Sequence, residues 1–125
     1  MFSHVMLGVN DLGQSKKFYD AILAVLGYQP GVLDDRGRCF YFAEGSVFAI
    51  TIPINGEPAS HGNGSTIGFN VANPDLVNKW HAVGLNNGGS VCEDPPGERD
   101  GDSNKLYLAY LRDPSGNKIC ALHRL

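Results

Sequence analysis

The sequence predicts an α+β protein built from two tandem βαβββ modules, whose strands form a cup-shaped mixed sheet with the helices on its outer face. Two observations predict this fold. A strand–helix–hairpin order occurs twice along the chain, and matching positions of the two copies keep a constant spacing. The 16 Gly and 7 Pro residues cluster at turns between short apolar runs, which favours many short strands. We therefore expect one domain over residues 1–125, with modules at about 1–56 and 63–125.

The first strand of each module alternates between apolar and other side chains. His4–Val9 shows this pattern, and Thr66–Val71 repeats it 62 residues later. A helix follows each strand, predicted over about residues 13–26 in the first module. The second helix is predicted to begin at Asn73 and Pro74, an N-cap residue followed by proline at the first helical position. Phe18 and Trp80 occupy matching positions on the apolar stripes.

Glycines and hairpin strands complete each copy. Gly27 and Gly89 are predicted to end the helices, because a residue after a helix often needs positive φ. The hairpin strands are predicted at about 38–43 and 47–52, and at about 105–112 and 117–124. Module two has nine extra residues in Glu93–Asn104, a Pro-, Gly- and Asp-rich stretch without periodicity. A solvated loop is favoured there, with a mobile lid over a pocket as the alternative.

Charge and composition exclude several classes of function. The formal net charge is −3 with both signs interspersed, so neither nucleic acid nor an anionic membrane is an expected partner. No apolar run approaches the roughly 20 residues that span a bilayer, and no signal peptide is visible. The three cysteines lack framework spacing and are interpreted as reduced thiols of a cytoplasmic protein.

Alternation along the strands assigns their side chains to two faces. One face is consistently apolar and is predicted to pack under the helices. Its members are Val5, Leu7, Val9, Phe48, Ile50, Ile52, Ile67, Phe69, Val71, Leu106, Leu108, Ile119 and Ala121. The other face mixes small, polar and aromatic types, as ligand pockets do. Its members are His4, Met6, Gly8, Arg38, Phe40, Ala49, Thr51, Thr66, Gly68, Asn70, Tyr107, Ala109, Cys120, Leu122 and Arg124.

Several motifs resemble those of the vicinal oxygen chelate superfamily, the group that includes glyoxalases, bleomycin-resistance proteins and extradiol dioxygenases. The stretch from Asp113 to Ile119 resembles the Asp-Pro-x-Gly-Asn turn before the last strand of such proteins. His4 in a first strand, followed by Asn10-Asp11-Leu12 and a helix with Phe18-Tyr19, is also typical of them. The resemblance covers nearly the whole chain and implies the two-module fold predicted above.

The resemblance also implies four metal-ligand positions, and most of them are altered in this chain. They correspond here to His4, Ala49, Thr66 and Cys120. Alanine has no donor atom, threonine is a weak ligand, and a His–Cys pair needs two more donors to hold Zn²⁺. We therefore expect no metal in the family's usual site and no cofactor.

The expected function is the binding of a small organic ligand in the cavity of the sheet. His4 is the candidate catalytic residue, and the candidate ligand-binding residues are Arg38, Phe40, Thr66, Tyr107 and Cys120. The alternative is a metal-dependent lyase, isomerase, thiol transferase or dioxygenase with an altered site around His4. Simpler interpretations also stand, with His4 as a hydrogen-bonded strand residue and Cys120 as a small buried hydrophobe.

Two further expectations concern the ligand and the assembly. Aromatic side chains and Arg38 on the open face favour an aromatic ligand with a negative group, because guanidinium groups bind carboxylates well. Two small modules leave exposed sheet edges, which proteins usually cover. The resemblance implies that this happens by pairing modules across a two-fold axis, so we expect a homodimer.

Overall fold

A computed structural model gives the structure of the protein and describes residues 1–101 and 103–125. The strands and helices follow the order β-α-β-β-β twice. The first module contains β1 (His4–Gly8), α1 (Leu12–Val25), β2 (Val32–Leu33), β3 (Arg38–Ala43) and β4 (Ser46–Thr51). The second contains β5 (Ile67–Asn70), α2 (Pro74–Asn86), β6 (Ser90–Asp100), β7 (Lys105–Arg112) and β8 (Lys118–Arg124). The predicted α+β fold of two βαβββ modules is confirmed, with the strands in two four-stranded sheets where one cup-shaped sheet was predicted.

Each module forms its own four-stranded mixed sheet with the same topology. The first sheet has the order β1-β4-β3-β2 and the second has the order β5-β8-β7-β6. In each, the first strand runs parallel to the last, and the remaining neighbours are antiparallel. Over the described residues, β1 and β5 are edge strands with one neighbour each. Their outer edges are therefore available for pairing with another chain.

Local sequence signals account for the ends of both helices. Asp11 caps α1 by accepting a hydrogen bond from the Gln14 amide, and Asn73 caps α2 by accepting one from Leu76. Gly27 follows α1 with φ of +91°, as predicted. After α2 the positive φ belongs to Gly88 rather than to the predicted Gly89.

Both modules contribute to one hydrophobic core. Phe18 of α1 and Trp80 of α2, the matching positions of the repeat, are both fully buried. The helix side of one sheet also meets the helix side of the other, where the rings of Phe48 and Phe69 lie 5.3 Å apart, edge to face. Because the helix sides of both sheets converge on this core, the opposite side of each sheet faces outwards. We call these the open faces.

The turn between β7 and β8 fastens the second module to the first. Asp113 is almost completely buried, and its carboxylate accepts hydrogen bonds from the Tyr19 hydroxyl of α1 (2.6 Å) and from the Asn117 side chain (2.9 Å). The side-chain amide of Asn117 also donates to the Gly8 carbonyl at 2.8 Å. Burial and the neighbouring Asp113 charge raise the pKa of Tyr19, so its hydroxyl remains a donor. The Asp-Pro-Ser-Gly-Asn motif is thus a junction between modules as well as a turn.

Two predictions about the second module are wrong. Most of the predicted loop Glu93–Asn104 is strand, because β6 extends through it to Asp100 with a bulge between Cys92 and Gly97; Asp102 lies outside the described residues. The predicted faces of β7 are reversed, because Ala109 pairs with Ala121 and Leu111 with Ile119 on the core side. Leu106 and Leu108 consequently lie on the open face, and Tyr107 does not.

In the part of the chain that the structure describes, neither helix combines the length and the apolar character that a membrane crossing requires.

Candidate functional site

The open face of the first sheet brings together two of the predicted ligand-binding residues. Phe40 of β3 lies opposite Ala49 of β4, and Arg38 lies opposite Thr51. The Arg38 guanidinium carbon lies 5.2 Å from the centre of the Phe40 ring, in cation–π geometry. Phe42, which is well exposed, stacks beside Phe40 with ring centres 6.3 Å apart. This face therefore offers an aromatic surface bordered by a cation.

His4, the candidate catalytic residue, lies on the same sheet but away from Arg38. It is the first residue of β1 and is exposed. It pairs with Val47, whereas Arg38 pairs with Thr51 four residues further along β4. The His4 Nδ1 atom lies 2.7 Å from the Ser3 hydroxyl. These contacts fit the simpler interpretation of His4 as a hydrogen-bonded residue at the start of a strand. They do not identify His4 as a catalytic base.

The open face of the second sheet holds Cys120 and a tyrosine that the sequence did not predict. Tyr110 of β7 lies opposite Cys120 of β8. The Lys118 ammonium lies 4.7 Å from the centre of the Tyr110 ring and forms an ion pair with Glu93 of β6. The second open face thus combines the same three types of group as the first, an aromatic ring, a cation and a carboxylate, which are Phe40, Arg38 and Asp34 in module one. The cation differs in placement, because Arg38 is on the same strand as Phe40 and Lys118 is on the strand next to Tyr110.

Cys120 is a buried thiol on this face. Only 4% of the residue is exposed, and its Sγ atom donates a weak hydrogen bond to the Ala121 carbonyl. Burial raises its pKa to about 11, and the nearby Glu93 charge acts in the same direction. A thiol that attacks a substrate needs the opposite shift. The environment therefore favours the interpretation of Cys120 as a small buried side chain.

The remaining two predicted residues lie elsewhere. Thr66 is exposed and immediately precedes β5, beyond the ladder that begins at Ile67. Tyr107 points to the helix side of the second sheet, where its hydroxyl donates to Asn78 of α2 at 2.8 Å. The prediction that placed Tyr107 on the open face is wrong, because the faces of β7 are offset by one residue from those predicted. The tyrosine of β7 that does lie on the open face is Tyr110.

The four positions that correspond to family metal ligands do not fit a metal. Ala49 is fully buried and supplies no donor atom, and Thr66 is a weak ligand that is exposed and precedes β5. Across residues 1–101 and 103–125, no three His, Cys, Asp or Glu side chains come together as a metal-binding group. These four positions therefore do not supply the set of donors that a metal of this superfamily needs.

A cleft of about 490 Å³ lies between the modules, beside the first residues of β1 and the β3–β4 hairpin. His4 borders it, and the other five predicted site residues do not. Aromatic side chains contribute much of its lining: Phe2, Tyr28, Tyr41, Phe42, Phe48 and Phe69. The open faces themselves are outward surfaces in a single chain, so a closed cavity over them requires a second chain.

Comparison with known proteins agrees with the fold and the motifs. Residues 1–121 match the family model described as "Glyoxalase/Bleomycin resistance protein/Dioxygenase superfamily". The chain belongs to this superfamily. No functionally curated protein shows detectable sequence similarity to it.

Solved structures extend the comparison. A glyoxalase/bleomycin resistance protein from Albidiferax ferrireducens T118 is 63% identical, with a TM-score of 0.96 and 99% of each chain covered. A glyoxalase-related enzyme from Fulvimarina pelagi is 20% identical, with a TM-score of 0.74, covering 98% of this chain and 87% of that one. Lactoylglutathione lyase from Agrobacterium tumefaciens is 19% identical, with a TM-score of 0.67 and coverage of 98% and 92%. The latter two similarities show the fold alone.

Proposed function

We propose that the protein binds a small, partly aromatic organic ligand on the open faces of its sheets, without the metal site usual in its superfamily. One observation carries the proposal. Each module places an aromatic ring, Phe40 or Tyr110, directly beside a position that supplies a metal ligand in relatives. Those two positions here are a buried alanine and a buried thiol. The site therefore offers rings that can contact a planar ligand and has few donors for a metal.

The proposal includes a homodimer that closes the ligand site. The open faces point away from each other within one chain, so they form a cavity only when the first sheet of one chain lies beside the second sheet of another. The free edges of β1 and β5 allow this pairing across a two-fold axis. Exposed apolar residues on and around the first open face, including Met6, Val32 and Phe42, support its burial against a second chain.

Ligand titration with ring-deleting variants tests the proposal. A panel of aromatic acids, amides and amines is screened against the wild-type protein by ligand-observed NMR. Binding should weaken by about tenfold or more for Phe40→Ala and for Tyr110→Ala, since stacked rings contribute about 1 kcal/mol or more beyond apolar contact. The matched control is Tyr107→Ala, which removes the same ring from the other side of β7. Equal losses for Tyr107→Ala and Tyr110→Ala would contradict the proposal.

Metal titration separates this function from a metal-dependent enzyme centred on His4. Equilibrium binding of Mn²⁺, Ni²⁺, Zn²⁺ and Fe²⁺ should show no stoichiometric site that depends on His4. Elemental analysis that gave one bound metal per chain, lost on His4→Ala, would favour the enzyme instead. Light scattering at micromolar protein concentration tests the dimer, and a monomer there would contradict that part of the proposal.

A further inference from the structure

Two cations on the open faces each lie over an aromatic ring but are held by very different carboxylates. Arg38 lies over Phe40 and pairs with Asp34, and Lys118 lies over Tyr110 and pairs with Glu93. Each cation is a candidate partner for a negative group on the ligand. Which one is available depends on how firmly its own carboxylate is held.

Asp34 is fixed to Arg38 by the turn between β2 and β3. Its Oδ1 atom accepts hydrogen bonds from the backbone amides of Arg36 (2.9 Å) and Arg38 (3.0 Å), and its Oδ2 atom accepts one from Arg38 Nε at 2.5 Å. Although desolvation acts in the opposite direction, these hydrogen bonds lower the pKa of Asp34. The carboxylate cannot leave Arg38 without giving up two backbone contacts. A ligand anion approaching Arg38 would therefore meet a second negative charge that stays in place.

Glu93 is held far more loosely. Among the described residues it is the one non-glycine residue with positive φ, at +57°, and it stands at the β6 bulge. Such backbone strain often marks a functional position. Its side chain is 47% exposed, and Lys118 is the side chain with which it pairs. Partly exposed ion pairs of this kind contribute little to stability, so the Glu93 carboxylate can move into water at small cost.

We propose that an aromatic carboxylate binds the second open face by displacing Glu93 from Lys118, so that Glu93 acts as an internal competitor for the ligand. The inference rests on the proposed ligand-binding function and names the acidic group and its partner. The exchange replaces one carboxylate with another, so Lys118 remains paired throughout. The ligand ring then lies beside Tyr110 and over the apolar pair Leu108 and Leu122 of the same face. Arg38, which the sequence favoured as the anion partner, keeps Asp34.

Binding of 2-naphthoate tests this exchange, with uncharged 2-naphthamide as the matched ligand. Glu93→Gln removes the competitor at nearly constant size and should tighten 2-naphthoate binding by about two- to fivefold, because the ligand no longer has to displace a partly exposed ion pair. Lys118→Met should weaken it by about tenfold or more. Arg38→Met should change it by less than about twofold. Affinity for 2-naphthamide should stay the same in all three variants.

Lys79→Met on α2 is the control for general loss of positive charge, because it removes a lysine from an exposed helix position. Thermal unfolding of each variant checks that the fold is intact, and Lys118→Gln replaces Lys118→Met if the latter unfolds. Unchanged or weaker 2-naphthoate binding by Glu93→Gln would overturn the exchange, as would a large loss in Arg38→Met.

The same titrations distinguish the inference from the proposed function. Both ligands could lose affinity when the rings are removed and keep it when Glu93 or Lys118 is replaced. That result would overturn the exchange and leave the proposed function in place. Failure of both ligands to bind wild type and every variant overturns the exchange and counts against the proposed function as well. Contacts in the cleft between the modules would appear instead as amide shifts at Tyr28 and Phe48, away from the open faces, and would also overturn the exchange.

Discussion

The two modules have the same topology, yet they place their polar contacts differently. In module one the β3–β4 turn at Glu44 is exposed, and the local carboxylate Asp34 is locked into its own turn. In module two the β7–β8 turn at Asp113 is buried against module one, and the local carboxylate Glu93 stands on a strained bulge. The repeated backbone thus fixes where the strands lie, while residues at the turns and at the bulge decide which carboxylate is buried, which is locked in its turn and which stays exposed.

The largest expected effect concerns the buried turn. Asp113→Ala removes the acceptor for the Tyr19 hydroxyl, for the Asn117 side chain and for the backbone amides of Ser115 and Asn117. Leaving several buried donors without partners should lower the free energy of unfolding by about 3–5 kcal/mol. Chemical denaturation of the variant measures this loss.

The turn at the same place in module one supplies the control. Glu44→Ala lies in the exposed β3–β4 turn and should change the free energy of unfolding by less than about 0.5 kcal/mol. Similar losses for the two variants would show that the turns are equivalent and would break the comparison between the modules.

A second pair of variants tests the locked carboxylate. Asp34→Ala removes the acceptor of two backbone amides and of Arg38, so its melting temperature should fall by several degrees. The neighbouring Asp35 is exposed, and Asp35→Ala should leave the melting temperature almost unchanged. Differential scanning calorimetry compares the two. If Asp34→Ala melted like Asp35→Ala, Asp34 would be no more fixed than Glu93.

The strained residue of module two should behave in the opposite way. Glu93→Gly relieves the positive φ and loses a weak ion pair, so we expect a gain in stability of about 0.5 kcal/mol after the entropy cost of glycine. Glu98→Gly, in the same strand and without positive φ, should lose about 0.5–1 kcal/mol. Equal losses in the two variants would show that Glu93 carries no strain.

Much of the fold could be predicted because the repeat constrains it. The 62-residue spacing, the caps at Asn73 and Gly27, and the alternation of β1 and β5 all agree with the structure. The strand character of residues beyond Glu93 could not be predicted, because β6 pairs on either side of a bulge and so has no continuous period. Tertiary pairing determines that strand, and local sequence does not reveal it.

The site was predicted less well, and β7 explains most of the difference. Arg38 and Phe40 do lie on the open face, but alternating leucines and tyrosines in β7 suit either face. The position of the β7–β8 turn could have settled which side chains of β7 share a face with Cys120. Counting outwards from it pairs Arg112 with Lys118 and Tyr110 with Cys120, which places Tyr110 on the Cys120 side. Glu93 was missed because its position depends on the bulge and on the pairing with Lys118 across two strands.

The pH-dependent comparison is between Cys120 and Ala49, its counterpart in module one. The folded pKa of Cys120, about 11, lies above the ordinary value of 9.0, so folding favours the neutral thiol. Its contribution to stability is therefore complete below about pH 9 and is lost as the pH rises towards 11. Cys120→Ala, which copies module one, should lose less stability than the wild-type protein between pH 8 and pH 10 in denaturant titrations.

Thiol labelling provides an independent measurement on the same residue. With iodoacetamide at pH 8, the partly exposed Cys92 should react first, and the buried Cys120 and Cys39 should react slowly. Peptide mapping identifies the labelled site. Rapid labelling of Cys120 near neutral pH would mean that its thiol is accessible and ionised, as a metal ligand or nucleophile would be. That result would show that Cys120 is a reactive thiol and is not equivalent to the inert Ala49 of module one.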